Sequence, residues 1–152
     1  MNPWRRLACH VAPLLVSLLV GFVLVQLFGN RYQPRIIEDG QVFPAIVQPG
    51  TIAEVRYAAR DERECLGRSR RWIVDSKGII YDLTSIPVFQ HIPGAPSYET
   101  FKFVHEFPVP RGISDGPATY HNRVDRWCNV FQEWFWPIHS FEQYNFEVER
   151  PK

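Results

Sequence analysis

The sequence predicts an all-β domain, an antiparallel sandwich of about seven strands, preceded by one N-terminal transmembrane helix. Three observations lead to this prediction. An uncharged apolar run extends from Val11 to Phe28. Beyond it, short segments alternate apolar and polar residues with the period of a β-strand. Aromatic residues make up 14% of the chain and 13 prolines interrupt it, a composition that suits short strands and turns better than helices.

The run 11–28 is long enough to cross a bilayer. About 18 residues in a helix span roughly 27 Å, close to the thickness of the hydrocarbon core. Pro13 falls in the first turn of this segment, and Gln26 is its only strongly polar residue. A buried core helix would show a polar face over this length. We expect a retained anchor; the alternative is a cleaved secretory signal, which would have a shorter apolar region and small residues at the cleavage site.

Basic residues flank the run on both sides. Arg5 and Arg6 precede it, whereas Arg31 and Arg35 follow it and are succeeded by acidic residues. The positive-inside rule then favours residues 1–10 as a short cytoplasmic N-terminus. The rest of the chain is expected on the other side of a cell inner membrane, in the periplasm.

The domain is expected to follow a short tether. Residues 29–40 are polar and contain proline and glycine, so that the sandwich itself would occupy residues 41–149. The first strand candidate, 41–47, contains Pro44 and is therefore assigned to a sheet edge. The second candidate, 51–65, opens with one apolar face, as expected of a half-buried strand.

The middle of the domain predicts a β-hairpin. Residues 70–75 and 78–83 flank a turn in which Asp75 and Gly78 are favourable turn residues. The proline-rich segment 84–98 is expected to be irregular, with at most a short edge strand.

Three further segments complete the predicted sandwich. Residues 99–109, 118–128 and 141–148 alternate as strands, and 129–140 is an aromatic-rich loop. No helical period separates the strands, so a parallel sheet is not expected.

This pattern resembles the immunoglobulin-like class of β-sandwich. The features that carry the resemblance are Cys65 near the end of the second strand, Trp72 on the third, and Tyr120 and Cys128 on the sixth. Trp72 follows Cys65 more closely than in antibody domains, and Tyr120 lies eight residues before Cys128 instead of two. The resemblance covers roughly residues 41–149 and implies fold alone. The whole layout also resembles small membrane-anchored proteins of unassigned function from bacteria and their phages.

The resemblance implies a disulfide between Cys65 and Cys128, on strands of facing sheets, in an oxidising compartment. Closing a loop of this length contributes on the order of 4 kcal/mol in the chain-entropy model. The alternative is a pair of buried free thiols in a cytosolic domain. A metal site would need further ligands at close spacing, and the sequence offers none.

No residue pattern in the chain specifies a reaction. The five histidines lack ligand spacing, and the sequence has neither a phosphate-binding glycine loop nor a nucleophile elbow. A net charge of +1 gives no strong field for nucleic acid. We therefore expect no enzyme activity, cofactor, metal or nucleic-acid partner. A ligand-binding or enzymatic domain that uses the segment 84–98 remains the alternative.

The aromatic loop, with Trp127 just before it, is the most distinctive part of the sequence, because three of the five tryptophans (Trp127, Trp134 and Trp136) fall within ten residues. In an immunoglobulin-like order, this loop and the basic segment 66–71, predicted as a loop, lie where the first strand begins, beside the tether. The residues expected to face the membrane or a partner are Arg68, Arg70, Arg71, Phe131, Trp134, Phe135 and Trp136. The alternative is a hydrophobic plug that closes one end of the sandwich.

These expectations describe an interaction module of the cell envelope. Its helix would hold it in membrane lipid, and its domain would bind an unidentified envelope protein. The alternative is an accessory structural subunit of a larger membrane complex. Ser17 and Gly21, a pair of small residues on one helix face, would then allow close packing against a neighbouring helix.

Overall fold

The computed structural model contains one long helix and two packed β-sheets. It describes residues 3–28, 32–63, 65–83, 86–89 and 100–151, without the side chains of residues 3–10, 27, 86–89 and 101. The helices and strands of this described part are α1 (Pro3–Phe28), β1 (Arg35–Phe43), β2 (Ile46–Val47), β3 (Ile52–Asp61), β4 (Leu66–Val74), β5 (Ile80–Asp82), β6 (Ile86–Phe89), β7 (Thr100–Pro108), β8 (Gly116–Trp127), α2 (Val130–Trp134) and β9 (Ile138–Val148). The predicted all-β, two-sheet sandwich is confirmed.

The smaller sheet has the strand order β1-β3-β7, and the larger has the order β2-β9-β8-β4-β5, with β6 also paired to β4. The chain changes sheet at Pro44, which lacks the N–H that a continuous strand would need. Phe43 pairs with Glu54 of β3, whereas Ile46 pairs in parallel with Glu147 of β9. The single predicted strand 41–47 is therefore two strands in two sheets.

α1 begins earlier than the predicted membrane segment. It starts at Pro3, so Pro13 lies inside the helix rather than in its first turn. The Ser17 hydroxyl donates to the Pro13 carbonyl at 2.9 Å. Many large apolar side chains of this helix, such as Leu14 and Leu19, are more than half exposed. Within the part of the chain that is described, no helix has both the length and the apolarity needed to cross a membrane.

The sandwich begins inside the segment predicted as a tether. β1 starts at Arg35 and pairs with β3 along its length, with a register shift between Ile37 and Asp39. The alternation of apolar and polar residues expected of a strand was not evident in β1, because the first inward-facing position of this strand is occupied by Arg35. Its charge is paired with Asp61 of β3, which makes this burial possible.

The segment 66–71 was predicted as a loop and is the first part of strand β4. β4 pairs with β8 from Leu66 opposite Trp127 to Val74 opposite Thr119. Gly67 permits this close approach, since a Cβ there would lie 2.9 Å from the carbonyl oxygen of Asp125. The charged side chains of this segment had suggested solvent, but they alternate between the two faces of a strand.

The predicted hairpin is confirmed. The Asp75 carboxylate accepts hydrogen bonds from the N–H groups of Lys77 and Ile79, both at 2.9 Å. Gly78 adopts a φ of +78°, a conformation that favours glycine. Of the predicted irregular segment 84–98, the structure describes only residues 86–89, which form strand β6.

The space between the sheets has two different halves. The half that includes the Asp75 turn holds an apolar core, whose buried members include Val42, Val47, Val55, Ile73, Phe107, Ile113, Ala118, Tyr120, Phe146 and Val148. The other half lies where β1 and β9 begin and where β3 and β8 end, and it contains buried charged and polar side chains. This polar half adjoins the candidate site.

Trp72 does not occupy the position that the immunoglobulin resemblance implies. It lies on the outer face of β4 and stacks on His121 of β8, with ring centroids 5.3 Å apart and an interplanar angle of 9°. In antibody domains the corresponding tryptophan packs between the sheets against the disulfide. Tyr120, by contrast, faces the core, where its ring lies 4.8 Å from that of Phe107.

Candidate functional site

One end of the sandwich brings together most of the residues that the sequence singled out. We call this end the tip and define it as Cys65 together with residues 128–137. It contains the short helix α2 and the turns on either side of it. α1 ends beside it, at Phe28.

The base of the tip carries a disulfide between Cys65 and Cys128, 63 residues apart in sequence. The predicted pairing is therefore present. The predicted placement across facing sheets is wrong, because Cys65 precedes β4 and Cys128 follows β8, and these strands are neighbours in one sheet. The bridge consequently fixes the start of α2 to the start of β4.

A local hydrogen-bond pattern explains why α2 forms after Cys128. Asn129 is the N-cap, and its side-chain oxygen accepts from the N–H of Gln132 at 2.9 Å. The side chain of Gln132 turns back and accepts from the N–H of Cys128 at 2.8 Å. Gln132 is 1% exposed, so this reciprocal pair is buried under the tip.

The aromatic side chains of the tip point largely to solvent. Trp134 is 74% exposed, Phe135 72% and Trp136 45%, whereas Phe131 is half-buried. A hydrophobic plug would bury its largest rings, so this role does not fit Trp134 and Phe135. Side chains this apolar and this exposed, grouped at one end of a domain, are typical of interaction surfaces.

The end of α1 contacts the tip directly. The Phe28 ring meets the Trp136 ring edge-on, with centroids 5.8 Å apart and an interplanar angle of 70°. The side-chain amide of Asn129 donates to the carbonyl of Gln26 at 3.2 Å. Carbonyls in the last turn of a helix lack intrahelical donors, so Asn129 also serves as a partial cap for α1.

β4 separates the three predicted arginines. Arg68 and Arg70 lie on the exposed face of the strand, whereas Arg71 faces the opposite sheet and is half-buried. Arg70 reaches Asp82 of β5 at 3.4 Å. The three side chains therefore do not form one basic patch, and Arg68 is the one that lines a cavity beside the tip.

Sequence reasoning missed a buried ion pair just inside the tip. The Arg35 guanidinium donates to both oxygens of Asp61, at 2.6 and 2.8 Å, and lies 4.6 Å above the centre of the Phe103 ring. Burial by itself would lower the pKa of Arg35. The hydrogen bonds and the charge of Asp61 outweigh burial, so the pKa is raised.

A second polar chain crosses the larger sheet at the same depth. The Ser69 hydroxyl donates to Asn122 at 2.6 Å, and the Asn122 amide donates to Glu142 at 2.9 Å. Burial raises the pKa of Glu142, although the hydrogen bond from Asn122 and the charge of Arg126 act in the opposite direction. Arg126 is 2% exposed, and burial followed by the charge of Arg35 lowers its pKa.

The sequence of β8 contained a signal for these buried polar side chains, in its alternation of inward-facing and outward-facing residues. Ala118, Tyr120 and Val124 mark the inward-facing positions of that strand. Asn122 and Arg126 fall on the same face, so two polar side chains had to be buried with the apolar ones. The partners of these side chains come from other strands, which the sequence alone does not align.

The side chains that could bind a metal ion or transfer a proton are dispersed through the described part of the domain. Among the described residues, no three His, Cys, Asp or Glu side chains are grouped closely enough to hold a metal ion. His105 Nε2 lies 3.0 Å from the Tyr57 hydroxyl between the sheets. Burial, followed by the charges of Arg71 and Arg35, lowers the pKa of His105.

Comparison with known proteins gives matches by structure and none by sequence. No protein family and no characterised protein matches the chain by sequence. The C-terminal domain of Wzt is 12% identical at a TM-score of 0.50, and the match covers 80% of this chain and 77% of that domain. At this identity the similarity indicates fold alone.

Two other solved structures match with lower TM-scores. The alkylpurine DNA glycosylase AlkC of Pseudomonas fluorescens, bound to DNA containing an abasic site analog, is 14% identical at a TM-score of 0.45, covering 83% of this chain and 33% of the glycosylase. Spo0M, a sporulation control protein from Bacillus subtilis, is 12% identical at 0.44, covering 79% and 51%. The chain thus spans about a third of the glycosylase and about half of Spo0M.

Proposed function

We propose that this protein is a single-pass, membrane-anchored interaction module of the cell envelope. Its sandwich lies outside the cytoplasm, docks its tip on the lipid surface and presents the rest of the domain to a protein partner. The observation that carries the proposal is the contact between the end of α1 and the aromatic tip. If α1 is the anchor, this contact brings Trp134 and Phe135 to the level where the helix leaves the bilayer.

The anchor is supported by the apolar run 11–28 and by the exposure of its side chains. The described part of that run is helical, and Leu18, Leu19 and Val25 are each more than 60% exposed. Exposing this much apolar surface to water is unfavourable by about 25 cal/mol per Å², whereas lipid would bury it.

The extracytoplasmic location is supported by the disulfide. Bridges persist in oxidising compartments and are uncommon in the cytosol. The arginines that precede the apolar run favour a cytoplasmic N-terminus, which agrees with this location.

The immunoglobulin-like character is supported by the strand order. β1, β3 and β7 lie in the sheet that holds the first, second and fifth strands of that class, and β9, β8, β4 and β5 follow the order of its second sheet. β1 and β2 would be two halves of a first strand that changes sheet at Pro44. The disulfide within one sheet departs from antibody domains, so we propose the broad class only.

Lipid docking is supported by the chemistry of the tip. Tryptophan is favourable at the boundary between headgroups and acyl chains, where its apolar ring is buried and its N–H edge stays hydrated, and phenylalanine adds apolar area that the acyl chains bury. Val130 lies beside these rings on α2 and is 63% exposed, which extends the apolar surface. With the tip on lipid, the outer faces of both sheets remain accessible to a partner.

Photocrosslinking in intact membranes tests the proposal. Benzoylphenylalanine would replace Phe135, 72% exposed at the tip, or Phe141, 57% exposed on the outer face of β9, in the full chain. We expect phospholipid adducts at position 135 and protein adducts, without lipid, at position 141. Protein adducts alone at position 135 would favour the accessory-subunit alternative and reject lipid docking.

A further inference from the structure

A cavity of about 300 Å³ opens at the foot of the tip, on the outer face of the larger sheet. Its size lies at the lower end of the range for small-ligand sites. Strands β4 and β8, helix α2 and the turn after it supply the lining residues, which are Arg68, Asp125, Trp127, Glu133 and Pro137.

Two opposite charges in this cavity have no ion-pair partner within the described part of the chain. Neither Arg68 nor Glu133 forms an ion pair with any other described residue, and they do not pair with each other. Asp125 differs, because it already accepts from Arg123 at 2.9 Å and from His139 at 2.6 Å. The cavity thus offers one unmatched cation and one unmatched carboxylate to a ligand.

The chemistry of these groups fits a zwitterion. A guanidinium binds a phosphate through parallel, charge-assisted hydrogen bonds. A carboxylate attracts an ammonium group, and the face of an indole ring such as that of Trp127 adds a cation–π interaction. A ligand that carries a phosphate and an ammonium group on a short linker would therefore match Arg68 at one end and Glu133 with Trp127 at the other.

The position of the cavity indicates where such a ligand comes from. Arg68 is three residues beyond Cys65, which places its Cα about 10 Å along β4 from the base of the tip. Glu133 belongs to α2, directly before the exposed Trp134. If Trp134 lies at the acyl boundary, the cavity faces the headgroup layer, which is about 5 to 7 Å thick on each side of the bilayer.

We propose that this cavity binds the headgroup of a zwitterionic phospholipid, with the phosphate on Arg68 and the ammonium group on Glu133 and Trp127. The inference deepens the proposed function and rests on it, because it assigns a lipid class to the docked tip. Lipid recognition of this kind would orient the sandwich as well as attach it.

Native mass spectrometry of the full chain in detergent tests the assignment. The probes are phosphatidylethanolamine and phosphatidylglycerol with identical acyl chains. We expect phosphatidylethanolamine to bind about tenfold more tightly, and Arg68→Gln and Glu133→Gln each to weaken its binding by about tenfold. Arg70→Gln is the matched control, since Arg70 lies on the same face of β4, outside this cavity, and should bind both lipids as the unmodified chain does.

Several results would overturn the assignment. Equal binding of the two lipids, or unchanged phosphatidylethanolamine binding by Glu133→Gln, would remove the ammonium site. Equally tight binding of free phosphoethanolamine would remove the lipid as the source. Lipid crosslinking at position 135 without selectivity at the cavity would reject this inference and leave the docking proposal intact. Absence of lipid crosslinking at position 135 would reject the docking proposal and the lipid source with it.

Discussion

The buried pair of Arg35 and Asp61 shows how a single interaction determines where the sandwich begins. Their side chains are 6% and 16% exposed, so both charges have lost most of their hydration. Such a pair adds little net stability compared with apolar residues, but it becomes costly when one partner is removed. The start of β1 therefore depends on a match between residues 26 positions apart.

Asp61→Ala should destabilise the sandwich by about 3 to 5 kcal/mol, because it leaves the Arg35 guanidinium buried without its carboxylate. Thermal unfolding of the full chain in detergent, followed by near-ultraviolet circular dichroism, would measure the loss. Glu54→Ala is the control: it removes an exposed partner of Arg56 and should cost no more than about 1 kcal/mol. Equal effects of the two substitutions would contradict the importance of burial.

Asp75 should make stability depend on acid pH. Burial acts to raise the pKa of Asp75, but hydrogen bonds from Ile79, Ser114 and Lys77 outweigh it and lower the pKa to about 2. The unfolded pKa is about 3.9, so the stabilisation is present above that pH and is lost as the pH falls towards 2. Asp75→Asn should lower the unfolding temperature near neutral pH, and the gap to the unmodified chain should narrow between about pH 4 and 2. A gap that stays constant with pH would contradict this.

At the scale of elements, the tip is held by a covalent bond at its base and by the α2 cap above it. The disulfide joins the start of β4 to the end of β8, which are also paired strands. The bridge therefore holds together the ends of the β4 and β8 strand pair, directly before α2. Breaking it should affect the tip before it affects the apolar core at the opposite end.

Cys65→Ser should lower the free energy of unfolding by about 4 kcal/mol, the loop-entropy value for a closed loop of this length. Denaturant unfolding with and without reductant would measure it, and reductant should have no further effect on the variant. Cys9→Ser leaves the pair intact and serves as the control. An unmodified chain that is insensitive to reductant would show that the bridge contributes nothing.

Local patterns predicted several of these elements well. Asp75 and Gly78 identified the hairpin turn because both residues act within a few positions of each other. The strands β3, β7 and β8 were visible from alternation alone. The segment 66–71 was misassigned because its arginines suggested solvent, while its pairing with β8 depends on residues more than fifty positions away.

The candidate site was predictable only in part, for the same reason. The aromatic residues of the tip and the cysteine pair could be selected by residue type. Their relation to α1 depends on the contacts of Asn129 and Trp136, which no local pattern encodes. Glu133 went unnoticed because a carboxylate on a short helix is ordinary until Arg68 is placed beside it.

At the scale of the whole molecule, the two ends of the sandwich differ, and α1 ends beside one of them. The tip, the polar half of the interior and the end of α1 lie together, and the Asp75 turn lies at the opposite end. In the proposed orientation, a partner that binds beside the bilayer would meet the outer faces of the sheets near the tip. A partner that binds far from the bilayer would then meet the Asp75 turn.

The proposed orientation predicts the reactivity of an introduced thiol. Lys77 is exposed in the Asp75 turn, so Lys77→Cys should react with a membrane-impermeant maleimide once the periplasm is opened. The Lys77→Cys change is made in a Cys9→Ser chain, which alone provides the background, and Cys9 of the unmodified chain should react only after the inner membrane is disrupted. The reverse pattern of labelling would place the sandwich in the cytoplasm and contradict the proposal.

The short connection between Phe28 and Arg35 limits how far the domain can travel. The seven peptide steps between them span at most about 25 Å, even fully stretched. The longest strand, β8, has 12 residues and adds about 40 Å of height. If α1 is the anchor, as proposed, the domain can sample only a layer roughly 65 Å deep next to its bilayer, and a partner must enter that layer to be bound.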